Sequence, residues 1–97
     1  MLKKQYLKTK PECKVTFSFN PGHGDQVHLV GDFNGWDEQA TPMKRAKDGT
    51  FSVTLNLATG HDYQFRYLVD GTEWHNDVDA DKYLPNPYSG DNSVVSV

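Results

Sequence analysis

Apolar and polar residues alternate with a period of two along most of this chain. The alternation, or a comparable short apolar run, occurs at residues 15–19, 26–30, 51–57, 63–69 and 93–97. Because successive side chains of a β-strand point to opposite faces, this pattern predicts strands with one buried face. The Asp48-Gly49 and Asp70-Gly71 pairs are typical of tight turns between strands. Residues 40–46 are predicted to form a further short strand, and no sustained helical period is present.

Short strands separated by polar turns predict an all-β fold, an antiparallel β-sandwich in a single domain. The chain has 97 residues, of which 36% are hydrophobic, and its 5 Phe, 5 Tyr and 2 Trp can fill one small core. Residues 76–92 are rich in Asp, Pro and Asn, and we predict that they form a long surface loop.

Charge is distributed unevenly along the sequence. Residues 1–14 carry five Lys and one Glu, whereas the rest of this chain of net charge −3 is acidic. An acidic body argues against a nucleic-acid partner, since phosphate binding needs a basic face. We therefore expect residues 1–12 to be a basic, solvated tail and residues 13–97 to form the domain.

The sequence also bears on location and on chemistry at cysteine. Apolar runs are too short to cross a bilayer, and no apolar signal region follows Met1. Cys13 has no second cysteine with which to form an internal disulfide. These features predict a cytoplasmic protein without a membrane partner.

Motifs for catalysis or metal binding are weak in this chain. Asp77, Asp79 and Asp81 resemble the start of a calcium loop, but Lys82 and Tyr88 occupy the positions that need Gly and Glu. The four His residues lack the spacing of metal ligands, and neither a nucleophile motif nor a phosphate-binding glycine loop is present. We expect no enzyme activity, no cofactor and no metal site.

Several aromatic residues lie in turn-rich segments rather than in the alternating strands. Trp36 is flanked by polar residues, Trp74 follows the turn at residues 70–71, and Tyr88 lies in a Pro-rich segment. A flat ring can stack on the C–H face of a glucose unit while nearby amides and a cation bind its hydroxyl groups. The residues alone leave two interpretations open, because both indoles could instead complete a small core.

Three motifs, in order along the chain, resemble a known family: GDFNGW at 31–36, YLVDG at 67–71, and PNPY at 85–88 followed by DNS at 91–93. Over residues 13–97 the chain is similar to carbohydrate-binding module family 48. That family includes the early-set N-terminal domains of isoamylases and branching enzymes, which belong to glycoside hydrolase family 13. It also includes the glycogen-binding domain of the AMP-activated protein kinase beta subunit. The resemblance implies an immunoglobulin-like sandwich of the early-set type, with affinity for α-1,4-linked glucans.

The resemblance also implies roles for individual residues. Trp36 would stack on the sugar, with its indole exposed to solvent, and Asn92 would bind hydroxyl groups. Arg66 stands where the kinase domain has Lys, so it keeps the charge but presents a planar fork. Tyr88 replaces an aliphatic residue. Gly90 falls where the family has a Thr, so that contact would be lost.

For Trp74 the resemblance and the periodicity disagree. The resemblance implies a second sugar-stacking Trp after the hairpin, but one residue more than usual separates Trp74 from the turn. A two-residue turn at 70–71 would pair Trp74 with Tyr67 and direct the indole into the core. Only a turn that absorbs one more residue would bring Trp74 to the face of Arg66. The periodicity favours burial.

The leading functional hypothesis is a non-catalytic module that binds glycogen, starch or a maltooligosaccharide. The alternative is a structural or protein-interaction module that docks on an amylase-type enzyme without binding sugar. The expected partners are therefore an α-1,4-glucan and an enzyme of glycogen metabolism.

Overall fold

The structure, a computed structural model, describes residues 2–87 and 90–97. The described residues form nine β-strands and one 3₁₀ turn, Asp32–Asn34. The strands are β1 (Leu2–Tyr6), β2 (Glu12–Phe19), β3 (Val27–Gly31), β4 (Lys44–Arg45), β5 (Phe51–Ala58), β6 (Asp62–Val69), β7 (Glu73–His75), β8 (Lys82–Pro85) and β9 (Asp91–Ser96). The five segments predicted from the alternation correspond to β2, β3, β5, β6 and β9. Only the end of segment 40–46 is a strand, β4.

The strands form two antiparallel sheets. One sheet has the strand order β1-β2-β5-β4, and the other has the order β3-β6-β9-β8. The short strand β7 also pairs with residues 67–69 of β6, on the edge of β6 opposite β3. These sheets enclose one core, so the predicted antiparallel β-sandwich is confirmed.

Aromatic rings from both sheets fill the core. Phe17 on β2 meets the edge of Phe65 on β6, with 5.1 Å between ring centres, and Phe19 stacks on Tyr67 at 4.5 Å. Cys13 is buried beside them and behaves as a small apolar residue with a free thiol. Because alternate residues of β6 point into this core, the residues between them lie on the outer face of the second sheet.

Residues 2–6, expected as part of a solvated tail, form the edge strand β1. Leu2 lies opposite Phe17 and Tyr6 lies opposite Cys13 in the ladder with β2. Lysine can occupy such an edge because its stem packs on the sheet while its ammonium group reaches solvent or an acid. The Lys4 ammonium lies 2.6 Å from a carboxylate oxygen of Asp81, the residue before β8 of the other sheet. Residues 2–6 thus belong to the first sheet, while the domain boundary at residue 13 stays a prediction.

The segment 76–92, predicted as a surface loop, contains β8 and is fixed by a buried acid. Asp77 is 1% exposed and accepts a hydrogen bond of 2.6 Å from the Tyr67 hydroxyl. The Asp77 backbone amide donates to the Ser93 hydroxyl at 2.8 Å, and the Tyr83 hydroxyl donates to the Asp77 carbonyl. Burial and the hydrogen bond to Asp77 raise the pKa of Tyr67 far above its usual range. The surface-loop prediction is wrong for Asp77, which is buried with hydrogen bonds in place of water, and for residues 82–85, which form β8.

Candidate functional site

The outer face of the second sheet carries the charged and amide residues of the candidate site. Gln64, Arg66 and Leu68 alternate on β6 with the core residues Phe65 and Tyr67. Arg66 is half-buried, and its Nε atom is buried without a hydrogen-bond partner among the described residues. Unpaired buried donors are rare and costly in folded proteins.

A sharp turn at the end of β3 determines the orientation of the Trp36 side chain. The 3₁₀ turn is followed by Gly35 and Trp36, which both have left-handed backbone angles (φ 67° and φ 59°). That conformation is unfavourable for a bulky residue such as Trp and must be held by its surroundings. The Trp36 backbone amide donates to the Gly31 carbonyl at 2.9 Å, and its indole Nε1 donates to Asp32 Oδ1 at 2.8 Å. The Trp36 side chain is half-buried, so its indole is less exposed to solvent than expected from the sequence.

Two side chains complete this turn. Asn34 donates to the Leu29 carbonyl at 2.8 Å and accepts from the Gly31 amide at 3.1 Å. Asp32 uses both carboxylate oxygens, because its Oδ2 accepts from the backbone amide of Gln64 on β6 at 2.8 Å. A Cβ atom at Gly31 would lie 2.5 Å from the Gln64 carbonyl oxygen, so only glycine permits this close approach of β3 to β6.

Trp74 lies on the same face as Arg66, and the predicted burial of its indole is wrong. Residue 74 pairs with Leu68 instead of Tyr67, because the turn between β6 and β7 contains three residues, 70–72. Asp70 (φ 50°) takes a left-handed conformation inside this turn. The Trp74 side chain is 37% exposed, and the Arg66 guanidinium carbon lies 5.8 Å from its ring centre. The indole and the guanidinium thus form a cation–π pair.

Asp70 accounts for the longer turn. Its Oδ1 accepts backbone hydrogen bonds of 2.9 Å from both Asp25 and Gln26 in the loop before β3. These bonds lower the pKa of the Asp70 carboxyl, with the bond from Gln26 as the largest cause. The carboxylate therefore fixes the turn against a loop that is distant in the sequence.

Two histidines are hydrogen-bonded to Glu73, the residue that precedes Trp74 on β7. His23 Nε2 lies 2.9 Å from Glu73 Oε1, and His75 Nε2 lies 3.3 Å from the same oxygen. The hydrogen bond to Glu73 raises the pKa of His23, and the bond from His23 lowers the pKa of Glu73. All three side chains are solvent-accessible, so their contribution to stability is small.

Amide side chains form the opposite wall. Asn92 is only 9% exposed, and its Nδ2 donates to Gln64 Oε1 at 3.1 Å. Asn86 Nδ2 donates to Asn92 Oδ1 at 3.3 Å. This chain of amides joins β6 to β9 and to the segment after β8. Amide groups fixed in this way are ready-made donors and acceptors for hydroxyl groups.

These elements surround one open groove with a volume of about 680 Å³. It is lined by two indoles, one guanidinium, three amides, two carboxylates and a proline: Trp36, Trp74, Arg66, Gln64, Asn86, Asn92, Asp32, Glu38 and Pro87. Flat apolar rings beside fixed hydrogen-bonding groups suit a neutral ligand that has both C–H faces and hydroxyl groups.

Residues 13–95 match the family described as the glycogen recognition site of AMP-activated protein kinase. That match covers most of the chain. The chain belongs to this family. It is therefore a carbohydrate-binding module of the glycogen-recognition type, and the family predicted from the three motifs is confirmed.

Relatives of this module come from plants, bacteria and animals. It is 54% identical over 76 residues to the 1,4-alpha-glucan branching enzyme GlgB of Aquifex aeolicus, covering 75% of this chain and 12% of the enzyme. Protein PTST homolog 2 of Arabidopsis thaliana is 41% identical over 54 residues, 56% of this chain and 10% of that protein. The beta-1 subunit of AMP-activated protein kinase of Sus scrofa is 33% identical over 70 residues, 72% of this chain and 53% of the subunit. The module thus spans only part of each of these proteins.

The groove brings together four of the five predicted site residues: Trp36, Arg66, Trp74 and Asn92. Tyr88, the fifth, lies outside the described residues. Gln64 was missed in the sequence, although the period of β6 places it on the face of Arg66. Asn86 and Pro87 were missed as well, although both belong to the PNPY motif.

Two further properties concern residues 2–87 and 90–97. In that part of the chain no three His, Cys, Asp or Glu side chains are grouped so that they could hold a metal ion. No helix described there has the length and apolar character needed to cross a membrane.

Proposed function

We propose that this module binds an α-1,4-linked glucan, such as glycogen, starch or a maltooligosaccharide, in the groove between Trp36 and Trp74. The observation that carries the proposal is the groove itself, in which the Trp36 and Trp74 indoles lie beside the Arg66 guanidinium and the amides of Gln64 and Asn92. A glucose ring would stack on an indole while its hydroxyl groups pair with the guanidinium and amide groups that line the groove. Family membership supports the same ligand class.

Five of the groove residues have roles in this proposal. Trp36 and Trp74 stack on glucose rings, Arg66 donates to a hydroxyl, and the amides of Asn92 and Gln64 bind neighbouring hydroxyl groups. Tyr88 is proposed as a further contact on the resemblance alone. A site of this kind, with few fixed hydrogen bonds and an open groove, supports binding in roughly the micromolar to millimolar range.

The proposal includes no catalysis. Glycoside hydrolysis requires two carboxyl groups with separate roles, one of which is protonated. Of the carboxylates that line the groove, Asp32 accepts a hydrogen bond at each of its oxygens. Both Asp32 oxygens are therefore used in hydrogen bonds within the protein, so we assign Asp32 no catalytic role.

A titration with maltoheptaose followed by NMR tests the proposal. The expected result is saturable movement of the indole Nε1–H signals of Trp36 and Trp74, with smaller shifts at Gln64 and Asn92. Cellohexaose, which has β-1,4 linkages, is the matched control and should cause much smaller shifts. Unchanged indole signals at the solubility limit of maltoheptaose would reject the proposed function.

A second candidate function is docking on a glucan-metabolising enzyme. It is favoured by the branching-enzyme relatives, in which the matching segment is 12% or less of the enzyme. In this proposal the module resembles the N-terminal domain of a glycoside hydrolase family 13 enzyme and packs against catalytic machinery. Sedimentation of the module with a purified branching enzyme, with and without maltoheptaose, tests it. A complex that persists in excess maltoheptaose supports docking, and independent sedimentation of the two proteins contradicts it.

A cytoplasmic location is also proposed, on the sequence features alone. Microscopy of cells that express a fluorescent fusion, costained for glycogen or starch, would test it, and signal confined to an organelle or to the medium would contradict it.

A further inference from the structure

We infer that Asp32 is a positioning residue that fixes the indole of Trp36 for ligand binding and attaches it to the strand that carries Arg66. This inference rests on the proposed glucan binding. Asp32 Oδ1 accepts from the Trp36 indole at 2.8 Å, and Asp32 Oδ2 accepts from the Gln64 backbone amide at 2.8 Å. One carboxylate therefore joins a loop residue to β6.

The position of Asp32 follows from the end of β3. Gly31, the last residue of β3, pairs with Phe65, so the next register position places residue 32 opposite Gln64. The backbone turns away there into the 3₁₀ turn, and the Asp32 side chain takes the hydrogen bond that the strand would have accepted. A carboxylate has two acceptor oxygens, so one can accept from the Gln64 amide while the other accepts from the indole.

Trp36 needs such a partner because its own backbone bond does not restrain its ring. The bond from the Trp36 amide to the Gly31 carbonyl fixes the left-handed turn, but rotation about the side-chain torsions remains. A half-exposed ring that is free to rotate must be ordered when the ligand binds, which weakens affinity. The bond to Asp32 orders the ring during folding instead.

The hydrogen bond between Asp32 and the Gln64 amide determines the position of the Trp36 ring relative to β6. Arg66 follows two residues later on the same face of β6, and the Gln64 side chain accepts from Asn92. Asp32 thus holds the Trp36 ring at a constant distance from the groups proposed to bind hydroxyls. If the Trp36 ring moved away from these groups, one glucose could no longer stack on the ring and form its hydrogen bonds at the same time.

The first experiment uses the free protein and is independent of any sugar. Exchange of the indole Nε1–H protons with solvent is measured by NMR in wild type, Asp32→Ala and Asp32→Asn. We expect Trp36 to exchange more slowly than Trp74 in wild type, and at a rate similar to that of Trp74 in Asp32→Ala. The Asn variant has one acceptor oxygen for two donors and should give an intermediate rate. Equal rates for Trp36 in wild type and Asp32→Ala would overturn the inference.

The second experiment measures affinity for maltoheptaose in a double-mutant cycle of Asp32→Ala and Trp36→Phe. Phenylalanine keeps a flat ring but cannot donate to Asp32, so the two effects should not add. We expect Asp32→Ala alone to raise Kd roughly two- to tenfold, and to have no further effect in the Trp36→Phe background. An undiminished effect in that background would mean that Asp32 touches the sugar directly and would overturn the inference.

Asp37→Asn is the matched control for this cycle. Asp37 lies in the same turn, but its Oδ1 accepts from the Gln39 backbone amide instead of an indole. Its Kd should equal that of wild type. If wild type itself binds no maltoheptaose, the proposed function fails, while the exchange experiment still decides whether Asp32 orders the ring.

Discussion

Replacing Arg66 with Met should weaken glucan binding without weakening the fold. Arg66 lies on the outer face of β6 with its Nε buried and unpaired among the described residues, and its guanidinium rests on the Trp74 ring. Methionine fills similar apolar space along the sheet but has no donor to satisfy. The substitution therefore removes a cost from the unliganded protein and a hydrogen bond from the proposed complex.

The magnitudes follow from these two contacts. An unpaired buried donor costs about 1–3 kcal/mol, and a charged hydrogen bond contributes about 1.5–3 kcal/mol. The cation–π contact with Trp74 stabilises wild type by about 0.5–1 kcal/mol at a partly exposed site, and the variant loses it. We therefore expect the free energy of unfolding of Arg66→Met to be unchanged or higher by up to about 2 kcal/mol. Loss of the bond to a sugar hydroxyl should raise Kd for maltoheptaose roughly ten- to hundredfold.

Urea unfolding followed by tryptophan fluorescence measures the first quantity, and NMR titration measures the second. Arg45→Met is the matched control, because the Arg45 guanidinium carbon lies 6.0 Å from the Phe51 ring centre, outside the groove. That variant should lose a little stability and bind maltoheptaose as wild type does. If Arg66→Met lost more than about 1 kcal/mol of unfolding free energy and kept its affinity, Arg66 would be a structural residue and the reasoning would be refuted.

Three further predictions concern the surroundings of the groove. Trp74→Ala should lose at least about tenfold in affinity but less stability than the about 3–5 kcal/mol typical of a buried ring, and a urea unfolding loss in that range would contradict its exposure. Tyr67→Phe should lower the free energy of unfolding by about 1–3 kcal/mol, because buried Asp77 loses a donor; unchanged urea unfolding would contradict this. The His23–Glu73 pair should stabilise the fold most between the ordinary pKa values 4.5 and 6.5, since the Glu73 pKa is lowered and the His23 pKa is raised. Its contribution is lost as pH rises through the raised pKa of His23 or falls through the lowered pKa of Glu73, so a stability difference between wild type and Glu73→Gln that did not change with pH would count against the pair.

The strands of the core were predictable because burial of one face imposes an alternation that any reader of the sequence can see. β1 was not predictable, because the half-buried side of this edge strand consists of Leu2 and Lys4 and needs little apolar sequence. Its lysines are also typical of a solvated tail. Asp77 was also missed, because an acid in a Pro-rich segment looks exposed until Tyr67 and Ser93 satisfy it. Both failures involve hydrogen bonds rather than apolar patterning.

The candidate site also contains residues whose placement was predictable from the sequence and one, Trp74, whose placement was not. Arg66 and Gln64 share a face because the period of β6 requires it, which is a local property of the sequence. The face of Trp74 depends instead on the length of one turn, since a single additional residue moves every following side chain of a strand to the other face. The Asp70 carboxylate holds that turn through bonds to Asp25 and Gln26, more than forty positions earlier in the chain. Periodicity within β6 and β7 contains no information about this contact, so the family resemblance was the better guide to Trp74 than the alternation was.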